Sequence, residues 1–399
     1  MQPQEGEQAF SWNRLPGELK VQILGQVENA GVLSRVAPLV CREWAQLGRD
    51  SLVWRPVFLR DFPGRTIERR CVDWKFEYRR AHQLQTNWQT WMFYGRTIQF
   101  EPEGDNYISD LHFDASHETY LWLGFRQGVA LCDPAQSFAV KAYFRTATRL
   151  TRVRFVKEGV GATGHTDGVI QLWDIPKEGR SSLLFSFDEG SDWVNSMEID
   201  TQSGGLGHHI VAGYGNNDIK IWDVEAQQRS SILQGHSAPV SCVKCDDQHV
   251  ASSSLDKSIR LWDRRNDECA CTYTSENTGS VRCFQYDLQR NLLVAGEASG
   301  TVSIWDMRVN HEPLETFKAH SNSVQCLQFL GDRLVTGGRD RCARVWKLSD
   351  VRDTSPFLLS GTPAFTDWVK AVQMNDSKLF VASSATSVLD FTPTAEQLN

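Results

Sequence analysis

Residues 249–264 read HVASSSLDKSIRLWDR, and this stretch decides the fold. Small and apolar residues fall in two short segments, HVASSSL and SIRLWDR, around a polar turn, the pattern of two antiparallel strands. VSCVKCD upstream and ACTYT downstream add one strand each, giving a four-stranded unit without helical spacing. Working outward, the closing string recurs as IQLWDI (170–175), IKIWDV (219–224), VSIWDM (302–307) and ARVWKL (343–348). The residues Trp173, Trp222, Trp262, Trp305 and Trp346 are spaced by 49, 40, 43 and 41 residues. That is a repeat of the class with a period of about 40–45. The longer first gap holds a Gly-rich insertion, QSGGLGHH.

Two weaker copies extend the series to seven. GVALCDP carries Cys132 at the Trp position, and TSVLDFT places Leu389 and Asp390 near the last one. A four-stranded sheet buries its two faces only against neighbours, so seven units predict a ring of seven blades. The seventh unit offers VKAVQMN, KLFVASS and TSVLDFT and then a polar tail, so it lacks an outer strand. The segment MFYGRTIQF, residues 92–100, is apolar enough to supply it and to remove the free edge.

The spacing of polar residues around the Trp residues now matters. Blade four has Gly235, His236, Ser252, Asp256 and Trp262, and blade six has His320, Thr336, Asp340 and Trp346. These resemble the structural tetrad of WD40 proteins, in which a buried Trp N–H, a hydroxyl, an imidazole and a carboxylate satisfy one another. Blade two keeps Thr163, Asp167 and Trp173. His and Asp in these places read as structural.

Before the repeats the pattern changes. Residues 10–58 space apolar residues helically, as in Leu19, Ile23, Leu24 and Val27, then Val36, Val40, Trp44 and Leu47. The strings LPGEL, VCREW and LVWRPVF, in that order, resemble the F-box. Residues 59–91 read as a helical connector in which Trp74, Tyr78 and Leu84 mark an apolar face. Its WK-x-x-Y and NW strings look like those joining the two parts of F-box/WD-repeat proteins. The expected architecture is therefore mainly β, a seven-bladed WD40 β-propeller over 92–399 preceded by a small all-α F-box module over 10–58 and a helical connector.

Composition bounds the function. The 399 residues carry 42 Lys plus Arg against 49 Asp plus Glu, a formal charge of −7, without the basic excess of a nucleic-acid binder. Arg69/Arg70 and Arg79/Arg80 interleave with Glu68, Asp73 and Glu77, the pattern of a solvated helix face. No apolar run approaches the roughly 18 residues a membrane helix needs. Ten cysteines are too sparse for a disulfide scaffold, which fits a reducing compartment. A cytoplasmic or nuclear protein is expected, with no nucleic acid or membrane as partner.

Several signals are set aside. GVGATG (159–164) satisfies G-x-G-x-x-G but runs into a strand rather than a helix. Cys242-x-x-Cys245 and Cys269-x-Cys271 have zinc-like spacing, yet residues three apart on a strand face opposite ways. Cys242, Cys283 and Cys326 open successive strands as small core residues do. His208 and His209 read as a solvated loop. No P-loop, nucleophile elbow or HExxH occurs, so no catalytic residue, metal or cofactor is expected.

The resemblance implies the substrate receptor of a Skp-cullin-F-box ubiquitin ligase, itself non-catalytic, or alternatively a scaffold that uses the F-box to join another adaptor complex. Leu15, Pro16, Leu19, Ile23, Leu24, Val40, Cys41, Trp44 and Trp54 would bind the Skp-type adaptor, and through it the cullin and RING subunits. In such propellers partners dock where the blades open. The second positions of the opening strands are Ser109, Thr151, Asn195, Ser241, Arg282, Gln325 and Lys370. Arg339 stands beside a tetrad Asp, and Arg126 takes the Asp position in blade one. Trp193 and Trp368 precede two openings, in GSDWV and FTDWV. Arg126, Trp193, Arg282, Arg339, Trp368 and Lys370 are thus the expected contacts for a target protein carrying a degron, phosphorylated or acidic. Arg suits phosphate through its bidentate grip.

Overall fold

The computed structural model describes residues 51–62, 73–90, 94–98, 108–113, 120–133, 138–157, 159–175, 181–190, 192–200, 209–246, 248–274, 279–308, 312–348, 357–361 and 365–393. Of the expected adaptor contacts, Leu15, Pro16, Leu19, Ile23, Leu24, Val40, Cys41 and Trp44 lie outside these residues; Trp54 lies within them. The chain divides into two compact units, 1–93 with 391–399, and 94–390.

In the first unit, helix α1 (Ser51–Asp61) pairs with helix α2 (Trp74–Thr90). Asp73 caps α2, its carboxylate accepting from the N–H groups of Lys75 at 3.1 Å and Phe76 at 3.2 Å. The interface is aromatic: Trp54 lies against Tyr78 with ring centroids 5.1 Å apart, and Phe58 meets the edge of Trp74 at 5.6 Å. The Tyr78 hydroxyl donates to Asp61 at 3.0 Å. Trp54 is 2 % exposed and packs in the seam between α1 and α2. Later in this unit Phe391 stacks on Trp88 at 3.8 Å, and its carbonyl accepts from Asn87.

The second unit is all β, with strands β1 (Tyr94–Ile98) to β28 (Thr386–Asp390) arranged in seven four-stranded antiparallel sheets. Six sheets take four consecutive strands each, from Ile108–Phe113, Leu121–Phe125, Gly128–Asp133 and Ala139–Arg145 in the first to Val324–Leu330, Arg333–Gly338, Ala343–Lys347 and Phe357–Gly361 in the sixth; in the seventh, β1 pairs with β28, which pairs with Lys378–Ala382, which pairs with Ala371–Met374. In it Tyr94 stands opposite Asp390 and Ile98 opposite Thr386, so a strand from before the first blade forms the outer edge of the last. The inner strands β2 (Ile108–Phe113), β6 (Leu150–Lys157), β10 (Val194–Asp200), β14 (Val240–Cys245), β18 (Val281–Asp287), β22 (Val324–Leu330) and β26 (Ala371–Met374) each touch the next, and β26 returns to β2. The ring is closed, and the fold is a seven-bladed β-propeller.

Its core lies between blades. Trp122, Val129 and Leu131 of blade one pack with Val153 and Trp173 of blade two, and Phe113, Phe125 and Ala130 of blade one pack with Phe380 and Val388 of blade seven. A Cβ on Gly161 would lie 2.0 Å from the Trp122 ring, so the middle glycine of GVGATG serves this packing, and the motif is a strand, β7 (Val160–His165).

Both complete tetrads form. In blade four Trp262 Nε1 donates to Ser252 Oγ at 2.8 Å, His236 Nε2 meets the same oxygen at 2.8 Å, and His236 Nδ1 meets Asp256 at 2.7 Å. In blade six the corresponding distances through Thr336, His320 and Asp340 are 2.9, 2.8 and 2.8 Å. Blades two and three solve the same problem differently. Trp173 donates to Thr163, whose partner imidazole is His165 at the end of the same strand, while Asp167 caps its own turn. Trp222 donates to the Tyr214 hydroxyl at 3.2 Å, over which the Lys220 ammonium sits 5.1 Å from the ring centre. A buried indole N–H needs an acceptor, and the blade supplies whichever one its sequence holds.

Candidate interaction site at the channel mouth

In six blades the pairing register shifts just after the inner strand opens, for example between Ile108 and Asp110, Leu150 and Arg152, and Val281 and Cys283. The skipped residues are Ser109, Thr151, Asn195, Ser241, Arg282 and Gln325. A bulge takes a residue out of the ladder and re-aims its side chain. Lys370 holds the equivalent place before β26, its N–H donating to Ala382. Ser241, Arg282, Gln325 and Lys370 line one cavity of about 270 Å3 on the ring axis. Each second strand runs back to the end where the inner strands open, so Arg126 and Arg339, in the turns after β3 (Leu121–Phe125) and β23 (Arg333–Gly338), lie at the same end.

Arg282 and Arg339 come close. Burial first, and then the Arg339 charge, lower the pKa of the Arg282 guanidinium. Among the described residues neither Arg has a carboxylate partner, and the Nε atom of each is buried without a hydrogen bond. The Arg339 guanidinium lies 4.3 Å from the centre of the Trp368 ring, which remains 43 % exposed. Lys370 differs: its ammonium is 3.0 Å from Asp367 and its side chain is only 10 % exposed. Trp193 is 59 % exposed, and like Trp368 its N–H is held by the preceding Asp, at 2.8 Å. Trp193 and Arg282 line a second cavity, about 490 Å3. Arg126 is exposed and lines neither cavity.

Sequence reasoning missed Arg152, which lines both cavities. Spacing places Thr151 at the opening of blade two; the bulge leaves Thr151 out of the pairing, and Arg152 beside it lines the channel. Below the mouth the wall of the channel is ionic on one side. Arg154 lies 2.7 Å from Asp110 and 3.8 Å from Glu198, and Lys244 pairs with Glu198. Burial raises the Glu198 pKa, but Lys244 and Arg154 outweigh it and hold the group at about 2. Burial, reinforced by Arg154, lowers His112 to about 4. On the other side three glutamines bridge blades: Gln285 to Phe329, Gln328 to Met374, and Gln373 to Phe113.

The set-aside residues also find places. Cys269 and Cys271 face opposite ways, because a bulge pairs them with the adjacent residues Trp262 and Leu261. His209 is not in a loop: it opens β11 (His209–Tyr214), and its Nε2 is 3.9 Å from Asp223. No group of three His, Cys, Asp or Glu among the described residues could hold a metal ion. No helix among them is long and apolar enough to cross a membrane.

These blades and tetrads define the class, a WD40 β-propeller, a fold generally used as a non-catalytic scaffold. The family model "WD domain, G-beta repeat" matches residues 227–263, 267–306 and 311–347, and the model "F-box-like" matches 12–60. The chain thus carries both an F-box-like segment and WD40 repeats. Among curated proteins, it is 28 % identical over 192 residues to "DENN domain and WD repeat-containing protein SCD1" and 25 % over 231 residues to "Autophagy-related protein 16", both of Arabidopsis thaliana. It is 30 % identical over 156 residues to "Nuclear distribution protein nudF" of Aspergillus niger. The matches cover 48, 56 and 37 % of this chain and span 15, 43 and 35 % of those proteins. The solved structure of "RRP9 WD40 repeats" superposes with a TM-score of 0.63 at 13 % identity, over 74 % of this chain and 97 % of that one, which speaks to fold alone.

Proposed function

We propose that this chain is the substrate receptor of a Skp-cullin-F-box ubiquitin ligase. An F-box-like segment joined to a WD40 propeller makes a protein-interaction or adaptor role. In the finer reading, Leu15, Pro16, Leu19, Ile23, Leu24, Val40, Cys41 and Trp44 hold the Skp-type adaptor. Arg282, Arg339, Trp368, Trp193 and the newly found Arg152 hold the target. One observation carries the target site: two partly buried guanidiniums lie at the channel mouth beside an exposed Trp, with no carboxylate among the described residues to neutralise them. Such a pair fits an anionic segment, acidic or phosphorylated, through charge-assisted bidentate hydrogen bonds. The chain contributes proximity rather than chemistry, raising the effective concentration of target lysines near the ubiquitin-charged enzyme.

Affinity purification of the full chain tests this. A receptor recovers adaptor, cullin and a target that accumulates when the F-box is altered. Recovery of adaptor without cullin would instead support a scaffold outside any ligase. That second reading is favoured by one observation: none of the three relatives named above carries a name that refers to ubiquitin, and one is named as WD repeat-containing.

A further inference from the structure

The cavity of about 490 Å3 beside Trp193 has two unlike walls. One is apolar: the exposed Trp193 ring, Pro239 and Leu255. Its backbone is pinned, since Leu255 N–H donates to the Pro239 carbonyl and Gly215 N–H to that of Trp193, both at 3.0 Å, while Ser280 Oγ donates to the Leu255 carbonyl. A Cβ on Gly215 would stand 2.8 Å from Asp192 Oδ2, so the glycine lets the loop close on itself. The other wall is cationic, formed by Arg152 and Arg282. Arg282 Nε is buried and unpartnered, and Arg152 donates to the carbonyl of its neighbour Thr151 at 3.3 Å. Asp192, the sole carboxylate in the lining, already accepts from the Trp193 N–H.

A purely anionic ligand leaves the Trp193 wall wet, and a purely apolar one leaves two guanidiniums desolvated without compensation. We propose that this cavity is a subsite for a bulky apolar side chain adjacent to an anionic residue, so that the partner presents an acidic or phosphorylated position next to an aromatic or long aliphatic one. The anion meets Arg282 and Arg152, and its neighbour packs on Trp193, Pro239 and Leu255. This inference rests on the reading of the channel mouth as the target site. A rigid aromatic wall beside a partly buried Arg is the make-up of a binding hot spot.

The test is a titration of the full chain with blocked tetrapeptides carrying Glu-Phe, phosphoserine-Phe, Glu-Ala or Gln-Phe. At least one anion-Phe peptide should bind about tenfold or more tightly than both Glu-Ala and Gln-Phe, the scale of one filled apolar pocket or one charged contact. The ratio of the two anion-Phe affinities tells carboxylate from phosphoryl. Trp193→Ala should remove the advantage of Phe over Ala, and Arg282→Gln that of Glu over Gln, with unchanged thermal melting as the control for folding. Affinity of both anion-Phe peptides no better than that of Glu-Ala or of Gln-Phe, absence of binding by every peptide, or loss of binding on Trp368→Ala with Trp193→Ala inert would each overturn the proposal. Failure of the receptor reading shows elsewhere: peptide selectivity would persist while no cullin is recovered.

Discussion

Gln373, on the last blade, clasps the main chain of Phe113 on the first: its Oε1 accepts from the Phe113 N–H and its Nε2 donates to the Phe113 carbonyl. Gln285 does the same for Phe329, one blade earlier in the ring order than Gln328, which accepts from Met374. Three successive blade junctions are therefore fastened by one side-chain amide each. Gln373→Leu keeps the volume but strands two backbone groups, and should destabilise the protein by about 1–3 kcal/mol. Denaturant unfolding of the full chain checks this; an unchanged midpoint would mean that strand β1 and apolar packing close the ring unaided.

Asp256→Ala should cost about 1–3 kcal/mol, because the carboxylate serves the buried His236 ring, the Ser237 N–H and Ser258. Loss of target capture should then follow loss of folded protein. Capture abolished at unchanged melting temperature would make Asp256 a binding residue instead.

Acid should destabilise the propeller in two stages. His112 is held down to about 4 against an ordinary 6.5, so the unfolded chain takes up its proton first, and stability falls as pH drops from about 6.5 to 4. Glu198 is held at about 2 against 4.5, so a second loss runs from about 4.5 downward. Both folded values lie below the ordinary ones, and both contributions are complete at neutral pH. His112→Gln should flatten the first stage and leave the second, as read by melting temperature against pH.

Charge reversal separates the cations. Arg282→Glu and Arg339→Glu should each abolish capture of an anionic target while adaptor binding persists; Lys370→Glu should act more weakly, since Lys370 already has Asp367 at 3.0 Å. Arg339→Lys should also weaken capture, because an ammonium can neither make paired hydrogen bonds nor lie flat on Trp368. Arg126→Glu, at an exposed position away from both cavities, should have little effect in the same pull-down.

Leu15→Ala combined with Pro16→Ala should abolish adaptor binding and leave the melting of the propeller unchanged, since LPGEL lies in the segment matched by the F-box-like model, outside the WD40 repeats. Intact adaptor affinity would remove the F-box reading.

Local spacing was enough for much of this protein. A Trp ten residues after its hydroxyl partner, and a His sixteen before it, meet within a single blade, so Ser252, His236 and Trp262 could be matched from the sequence alone. The seven units and the strand missing from the last one are also periodic facts, and the antiparallel pairing of Tyr94–Ile98 with β28 is the geometry that periodicity requires. The substitutes in blades two and three were hidden, because His165 and Tyr214 sit at a strand position where other blades hold Ser254 or Glu297.

What joins different blades was decided by tertiary structure. Arg154 and Lys244 are 90 positions apart and meet at Glu198 because adjacent inner strands run side by side down the channel. The register shifts fall at the second positions that spacing picks out, but which of their neighbours also line the channel depends on ring closure: Arg152 lines both cavities, and Arg126, in the turn after β3, lines neither. The physical reason is range. Strand alternation, turns and tetrads are set by bonds and contacts within some 25 residues, which a periodic sequence states directly, whereas burial, pairing and the charge of a cavity depend on which strands closure of the ring brings together.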